Sequence, residues 1–256
     1  MIMITIKSKV EIKIMKVGGR ILADIMDEIK KKVQVGITTK ELDRAAESLI
    51  FKSGGTPAFK GYENFPSTLC ASVNQVIVHG VPSDYKLKQG DILSLDLGIK
   101  YKGFFTDMAV TLPVKNYRNQ TSVNFEAMRL IRVTKKALKF AIKKSKPGNT
   151  FGDIGNTIQR YVESQGFNVV RELCGHGIGK ELHEEPQVLN YGKRHKGEVL
   201  KEGMTFCIEP MVTVGDWHIK KSSDGFGWET RDGSLSCHFE VTVAIGKKGA
   251  FVLTKI

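Results

Sequence analysis

Four carboxylates and one imidazole interrupt apolar runs that otherwise read as β-strands. Asp96 and Asp107 occupy the centres of the two segments of SLDLGIKYKGFFTDMAVTL, residues 94–112. Glu209 lies between Ile208 and Pro210 in TFCIEPMV, and Glu240 lies between Phe239 and Val241 in SCHFEVTV. His176 sits between glycines in CGHGIG, where small neighbours let backbone approach closely and leave the ring projecting. A turn centred between Tyr101 and Lys102 sets Asp96 directly opposite Asp107, with Cβ atoms roughly 5 Å apart on one face. A slip of one residue would turn one of them away. Like charges at that spacing in an apolar sheet repel each other and lose their hydration, so something positive must sit between them.

A single glutamate within a strand reads as a salt-bridged edge residue, whereas four such carboxylates read as a site. If the five groups converge, they suit two divalent ions such as Mn, Fe, Co or Zn, bridged by carboxylates about 3.5–4 Å apart. Four negative charges balance two divalent cations, so a bridging water can lose a proton near neutral pH and act as a nucleophile. The patterns H-E-x-x-H, G-x-S-x-G, C-x-x-C and the phosphate-binding loop are absent, and with them the chemistries they carry.

At 256 residues and 41% hydrophobic content the chain can bury a large core, and it reads as one catalytic domain over residues 1–256 without linker or short-period repeat. No apolar stretch is long enough to span a membrane, and lysines break up the aliphatics of the first segment where a secretory signal would be continuous. Cys70, Cys174, Cys207 and Cys237 are isolated and read as small core residues in a reducing, cytoplasmic setting. The net charge of +12, from 39 basic and 27 acidic residues, is spread over small groups. This pattern reads as solvated faces, with association to ribosomal RNA left open.

The elements that must position the five groups are legible in outline. Residues 10–32 repeat apolar side chains at helical spacing through Ile12, Met15, Gly19, Leu22, Ala23, Met26 and Ile29. Thr38 with Glu41, and Thr150 with Asp153, open helices running to about Phe51 and to Gly166; another spans 123–144 and stops at Lys146-Pro147-Gly148. TLCASVNQVIVHGVP reads as two strands broken at Val73–Gln75, and FNVVRELCGHGIG, TFCIEPMVTVG, LSCHFEVTVAIG and GAFVLTKI read as strands between Gly-rich turns. Trp228 could simply cover the core, although its flanks in DGFGWE suggest a loop at a rim. The fold class is α+β, a curved antiparallel sheet backed by a pair of helices in each half.

In their order, His79, Asp96, Asp107, His176, His183, Glu209 and Glu240 resemble the methionine aminopeptidases, and so do the strings NQVIVHGVP, DILSLDLG, TDMAVTL, CGHGIG, LHEEPQVLNYG, GMTFCIEPMV and SLSCHFEVTV. His183 and Glu209 lie too close for the large insertion of the second type, so the chain is similar to the first, in its short bacterial form. The resemblance implies a pita-bread fold with internal pseudo-two-fold symmetry and two divalent ions held by Asp96, Asp107, His176, Glu209 and Glu240. It implies that His79 contacts the substrate amide, that His183 stabilises the developing oxyanion, and that Glu209 doubles as proton shuttle. A methionine pocket is implied at Phe59, Tyr62, Phe65, Cys70, Leu182 and Trp228, and a Na or K site at Asn74, Val76 and Ser236. The implied activity is removal of methionine from nascent chains with a small second residue, by a monomer without membrane partners. The alternatives are a proline-directed peptidase of the same fold and a non-catalytic relative that binds RNA or the ribosome. The sequence departs from the family at Phe59, where cysteine is common; at Leu182, where phenylalanine is; at Cys207, where threonine is; and at His238, where glutamine is. Cys207 should share a face with Glu209, which would set a soft thiol beside the metals; the bland reading is a residue that fills space. His195 and His218 read as surface residues.

Overall fold

The computed structural model describes residues 4–114 and 124–255. Its first half runs through α1 (Lys9–Lys32), α2 (Thr39–Lys52), β1 (Thr56–Pro57), β2 (Leu69–Val73), β3 (Val76–Val78), β4 (Ile92–Tyr101) and β5 (Phe104–Pro113). The second half repeats the order of two helices and then strands. It comprises α3 (Phe125–Lys144), α4 (Phe151–Ser164), β6 (Asn168–Val169), β7 (Cys174–Gly177), β8 (Glu184–Leu189), β9 (Thr205–Ile208), β10 (Met211–Thr213), β11 (Ile219–Lys221), β12 (Trp228–Thr230), β13 (Ser236–His238), β14 (Glu240–Gly246) and β15 (Gly249–Val252). Residue 123, expected to begin the third helix, lies outside the described residues. Among the described residues no helix is long and apolar enough to cross a membrane.

Local chemistry sets the helix starts. Ser8 with Glu11, Thr38 with Glu41 and Thr150 with Asp153 form reciprocal capping boxes, each satisfying backbone donors that an unprotected first turn would leave open. Lys30, Lys31 and Lys32 sit in the last turn of α1, where cations favour the helix dipole. The apolar stripes of α1 and α2 bury against β2, β4 and β5, in a cluster built on Leu22, Met26, Leu42, Leu93, Leu95 and Leu97. Those of α3 and α4 bury against the second half, around Leu130, Ile154, Ile158, Phe206 and Val243. The sheet therefore has a helix pair beneath each half and its opposite face free to build a site.

That sheet is antiparallel and orders its strands β1, β4, β5, β14, β9, β7, β8, with β2 added on β4 and β15 on β14. Two three-stranded sheets flank it, β13-β10-β6 and β11-β12-β3. The α+β pita-bread architecture is therefore present, with two corrections in detail. Trp228 opens strand β12, paired with Val78 of β3, and does not lie in a loop. The β4–β5 hairpin turns at Lys102 and Gly103, both at positive φ (47° and 83°), so Asp96 pairs with Ala109 and Asp107 with Gly98. Such a two-residue turn needs left-handed backbone at both central positions and favours glycine at the second, which moves the turn one residue beyond Tyr101–Lys102. Partner numbers shift by two, and since side chains alternate with period two the aspartates become diagonal neighbours while staying on one face.

Glycines 18 and 19 let α1 lie close on this sheet. A Cβ at Gly18 would come 3.1 Å from Cβ of Tyr101; one at Gly19 would come 2.5 Å from the carbonyl oxygen of Leu253. Alanine is about 1 kcal/mol the better helix former, but crowding fixed backbone costs roughly 1–3 kcal/mol. The clash wins at position 19, so Gly19→Ala is expected to lower the urea midpoint, and Gly18→Ala to lower it less because its 3.1 Å contact needs a shift of only a few tenths of an ångström. A Gly19→Ala midpoint equal to or above the parent's would contradict this packing.

Candidate metal centre

Five neighbouring strands of the large sheet each deliver one group to its concave face. In sheet order these are Asp96 on β4, Asp107 on β5, Glu240 at the start of β14, Glu209 just beyond β9, and His176 on β7. Asp96, Ala109 and Glu240 form one row across three strands, and the small Ala109 between the acids leaves room for their carboxylates to converge. Gly175 and Gly177 flank His176 because neither position has space for a side chain; a Cβ on Gly175 would come 2.5 Å from the Cys207 carbonyl. The glycines that project this imidazole are thus set by close backbone approach, as the sequence suggested.

The four acids are nearly inaccessible, with Asp96 7%, Asp107 4%, Glu209 8% and Glu240 2% exposed. Among the described residues their ion-pair partners include neither Lys nor Arg; the nearest basic groups are imidazoles, with His176 Nε2 3.7 Å from Glu209 and 3.9 Å from Glu240. Burial first, then the charge of Glu240 and Asp96, pushes the Asp107 carboxyl well above its usual range. Burial and the charge of Asp96 do the same to Glu209, and burial with the charges of Glu209 and Asp96 to Glu240. Burial also raises Asp96, against the pull of His238. Oδ1 of Asp96, Oδ1 of Asp107 and Oε1 of Glu240 are buried without a hydrogen-bond partner. Buried oxygens left open in this way, on mutually repelling acids, fit a set of cation ligands. Ligand atoms of Asp96, Asp107 and Glu240 lie within 4.8 Å of one another, and so do those of His176, Cys207 and Glu240.

His176 is held as a neutral donor. Its Nδ1 lies 3.0 Å from the Gly177 carbonyl oxygen, which can only accept, so Nδ1 carries the proton and Nε2 presents its lone pair to the glutamates. Burial and the neighbouring His183 lower its pKa to about 3. His183, at the rim, stands edge-on to His176 with ring centroids 4.3 Å apart, and its Nδ1 lies 3.0 Å from the Tyr62 hydroxyl. His79, at φ 57°, opens onto the same space; the surrounding walls, and then His238, lower its pKa to about 4.

These groups line a cavity of about 690 Å³ whose walls include Phe59, Tyr62, Phe65, Cys70, Leu182 and Trp228, the six positions expected to form a methionine pocket. Asn74, Val76 and Ser236 lie apart from it. There the carbonyls of Asn74 and Val76 converge on the Ser236 hydroxyl at 2.9 and 3.0 Å. Cys207 is fully buried, its sulfur 3.5 Å from the Thr242 hydroxyl. Several positioning groups escaped the sequence reading. The Thr242 hydroxyl bridges the backbone of Asp107, accepting from its N–H and donating to its carbonyl. Asn190 donates to the Glu209 carbonyl, and Lys7 pairs with Glu184 beside His183. Thr and Asn carry no long-range signal in one sequence, so no pattern pointed to them.

The sequence matches metallopeptidase family M24 over residues 13–247. It is 46% identical to the methionine aminopeptidase of Clostridium perfringens, over 99% of this chain and all of that one. The crystal structure of methionine aminopeptidase from Thermotoga maritima superposes with a TM-score of 0.95 at 43% identity, covering 99% of this chain and all of that one. The prolidase of Pyrococcus furiosus shares the fold less closely, with a TM-score of 0.79 at 26% identity, and this chain spans 65% of its length. The chain belongs to metallopeptidase family M24, among the methionine aminopeptidases.

Proposed function

We propose that the protein hydrolyses the N-terminal methionine from peptides and nascent chains whose second residue is small, with two divalent metal ions as its cofactor. One observation carries the reading: an oxygen-rich ligand set with a single oriented imidazole forms the floor of a cavity walled by aromatic, aliphatic and sulfur-bearing side chains. Such walls suit a flexible thioether. Asp96, Asp107, His176, Glu209 and Glu240 would hold the ions, and this mixture of oxygen and nitrogen donors favours Mn, Fe, Co or Zn over Mg or Ca. Ions so held supply Lewis acidity and bring the pKa of a water close to neutrality.

The remaining chemistry falls to the chain. With the Tyr62 hydroxyl donating to Nδ1 of His183, the ring's proton rests on Nε2, free to donate where negative charge develops on the scissile carbonyl oxygen. Glu209, raised in pKa at the cavity floor, takes a proton from the attacking water and returns it to the leaving amine. His79, kept neutral in the same cavity, hydrogen-bonds the substrate amide. The convergent oxygens of Asn74, Val76 and Ser236 are of the kind a Na or K ion takes. The reading places the protein in the cytoplasm as a monomer of one catalytic domain, with nascent chains as substrate. Its net charge of +12 favours encounter with ribosomal RNA. The 46% identity to a methionine aminopeptidase over the full chain favours this activity over proline-directed cleavage.

Three outcomes test it. Metal-depleted protein resupplied with single divalent ions should release methionine from Met-Ala-Ser and hardly at all from Met-Leu-Ser; preferential cleavage before proline would move the assignment to the alternative. His183→Ala should lower kcat by about 10²–10³ through loss of one oxyanion donor, with the methionine pocket and KM little altered. Ions at about one hundred times their dissociation constant should stabilise the folded protein by roughly 2.7 kcal/mol. Thermal unfolding should show that gain shrinking in Asp107→Asn; an equal gain in both proteins would exclude Asp107 as a ligand.

A further inference from the structure

The glutamates Glu209 and Glu240 are flanked by two imidazoles, not one. His238 Nε2 lies 3.6 Å from Oε2 of Glu209 and 4.0 Å from Oε2 of Glu240, while His176 Nε2 lies 3.7 Å and 3.9 Å from the Oε1 atoms of the same two residues. Each carboxylate thus turns one oxygen to each ring. His238 is 1% exposed, and both its ring nitrogens are buried without a hydrogen-bond partner. An orphaned imidazole costs desolvation with no return unless something else meets its lone pair.

Distances and anchoring agree on what that is. Separations of 3.6–4.0 Å are too long for hydrogen bonds. They are, however, below the roughly 4.2 Å that separates two donors on opposite sides of one ion when each bond is about 2.1 Å. The backbone that carries the ring is anchored: the Thr111 hydroxyl accepts from the His238 backbone N–H at 3.0 Å and donates to its backbone carbonyl at 2.6 Å, and β13 pairs His238 with Met211. It lies close to Asp96 as well. Neither ring nitrogen has a hydrogen-bond partner, so no contact ties the ring to one tautomer.

We propose that His238 is a further metal ligand, placing a nitrogen donor on the side of the glutamate pair opposite His176, so that each of the two ions takes one imidazole. The inference rests on the dimetal reading above and deepens it. A nitrogen donor on both ions moves the preference of the pair away from Mn and toward Fe, Co and Zn.

The test uses full-length protein loaded with Co(II). Proton NMR should show two solvent-exchangeable, hyperfine-shifted ring N–H signals, one of which disappears in His238→Gln. Calorimetric titration should show the affinity for one cobalt equivalent falling at least about tenfold in the variant, the lower end of the loss caused by removing even an outer partner of a ligand. X-ray absorption on the unsubstituted protein decides the matter even if the variant does not fold: one imidazole per cobalt supports the proposal, and one imidazole per two cobalts overturns it while leaving the dimetal centre intact. Failure to bind cobalt at all would overturn both readings together.

Discussion

Mutual repulsion among four buried carboxylates is the constraint on which the rest of this structure depends. Two unit charges about 4 Å apart at an effective dielectric near 20 interact with roughly 4 kcal/mol, and here four groups share one face without a single Lys or Arg as ion-pair partner among the described residues. A flexible surface would let them drift apart. Here each acid is carried on, or directly after, a different strand of one hydrogen-bonded sheet, and the helix pairs packed beneath leave those strands little freedom to part. The sheet's rigidity holds the repulsion in place, and in the proposed function divalent cations would relieve it. That is how a fold with a large apolar core comes to keep its most hydrophilic side chains at the centre of its largest sheet.

Much of this was legible in the linear sequence because it consists of violations of local rules. A charged residue inside an apolar alternation is visible without a partner in view, and so is a histidine between glycines; the capping pairs at Thr38 and Thr150 are equally local. What failed was whatever depended on another part of the chain or on backbone dihedrals. A turn centred between Tyr101 and Lys102 sets Asp96 opposite Asp107, whereas the left-handed preference of Lys102–Gly103 sets the actual register. Face survived the error because a shift of two preserves parity. Glu184–Leu189, with a proline and two glutamates, lacks the apolar alternation of a strand and becomes one by pairing with β7. Trp228 reads as loop because its flanking glycines are local, while the β3 edge that captures it is not.

His238 shows the same limit at the site itself. In SCHFEVTV a histidine next to a phenylalanine carries no mark of function, and the only signal was its departure from the family's glutamine. Its position matters because β13 belongs to a flanking sheet, whose edge brings a side chain against the carboxylate-bearing face of the large one. Thr111 on β5 is the contact that joins the two sheets at this point. No periodicity within either strand encodes that meeting.

The electrical balance of the centre also explains why an imidazole is a change it can absorb. Four carboxylates and two divalent ions would sum to zero, and the burial that lowers the pKa of His176 to about 3 and of His79 to about 4 keeps such rings uncharged near neutral pH. A fifth acid in the place of His238 would leave a buried negative charge uncompensated, and a lysine would compete with the cations for the same oxygens. A neutral ring adds a donor atom while leaving the sum untouched. If His238 is a ligand as proposed, substitution at this position would alter which metal the site prefers without disturbing the charge balance that makes the buried cluster tolerable.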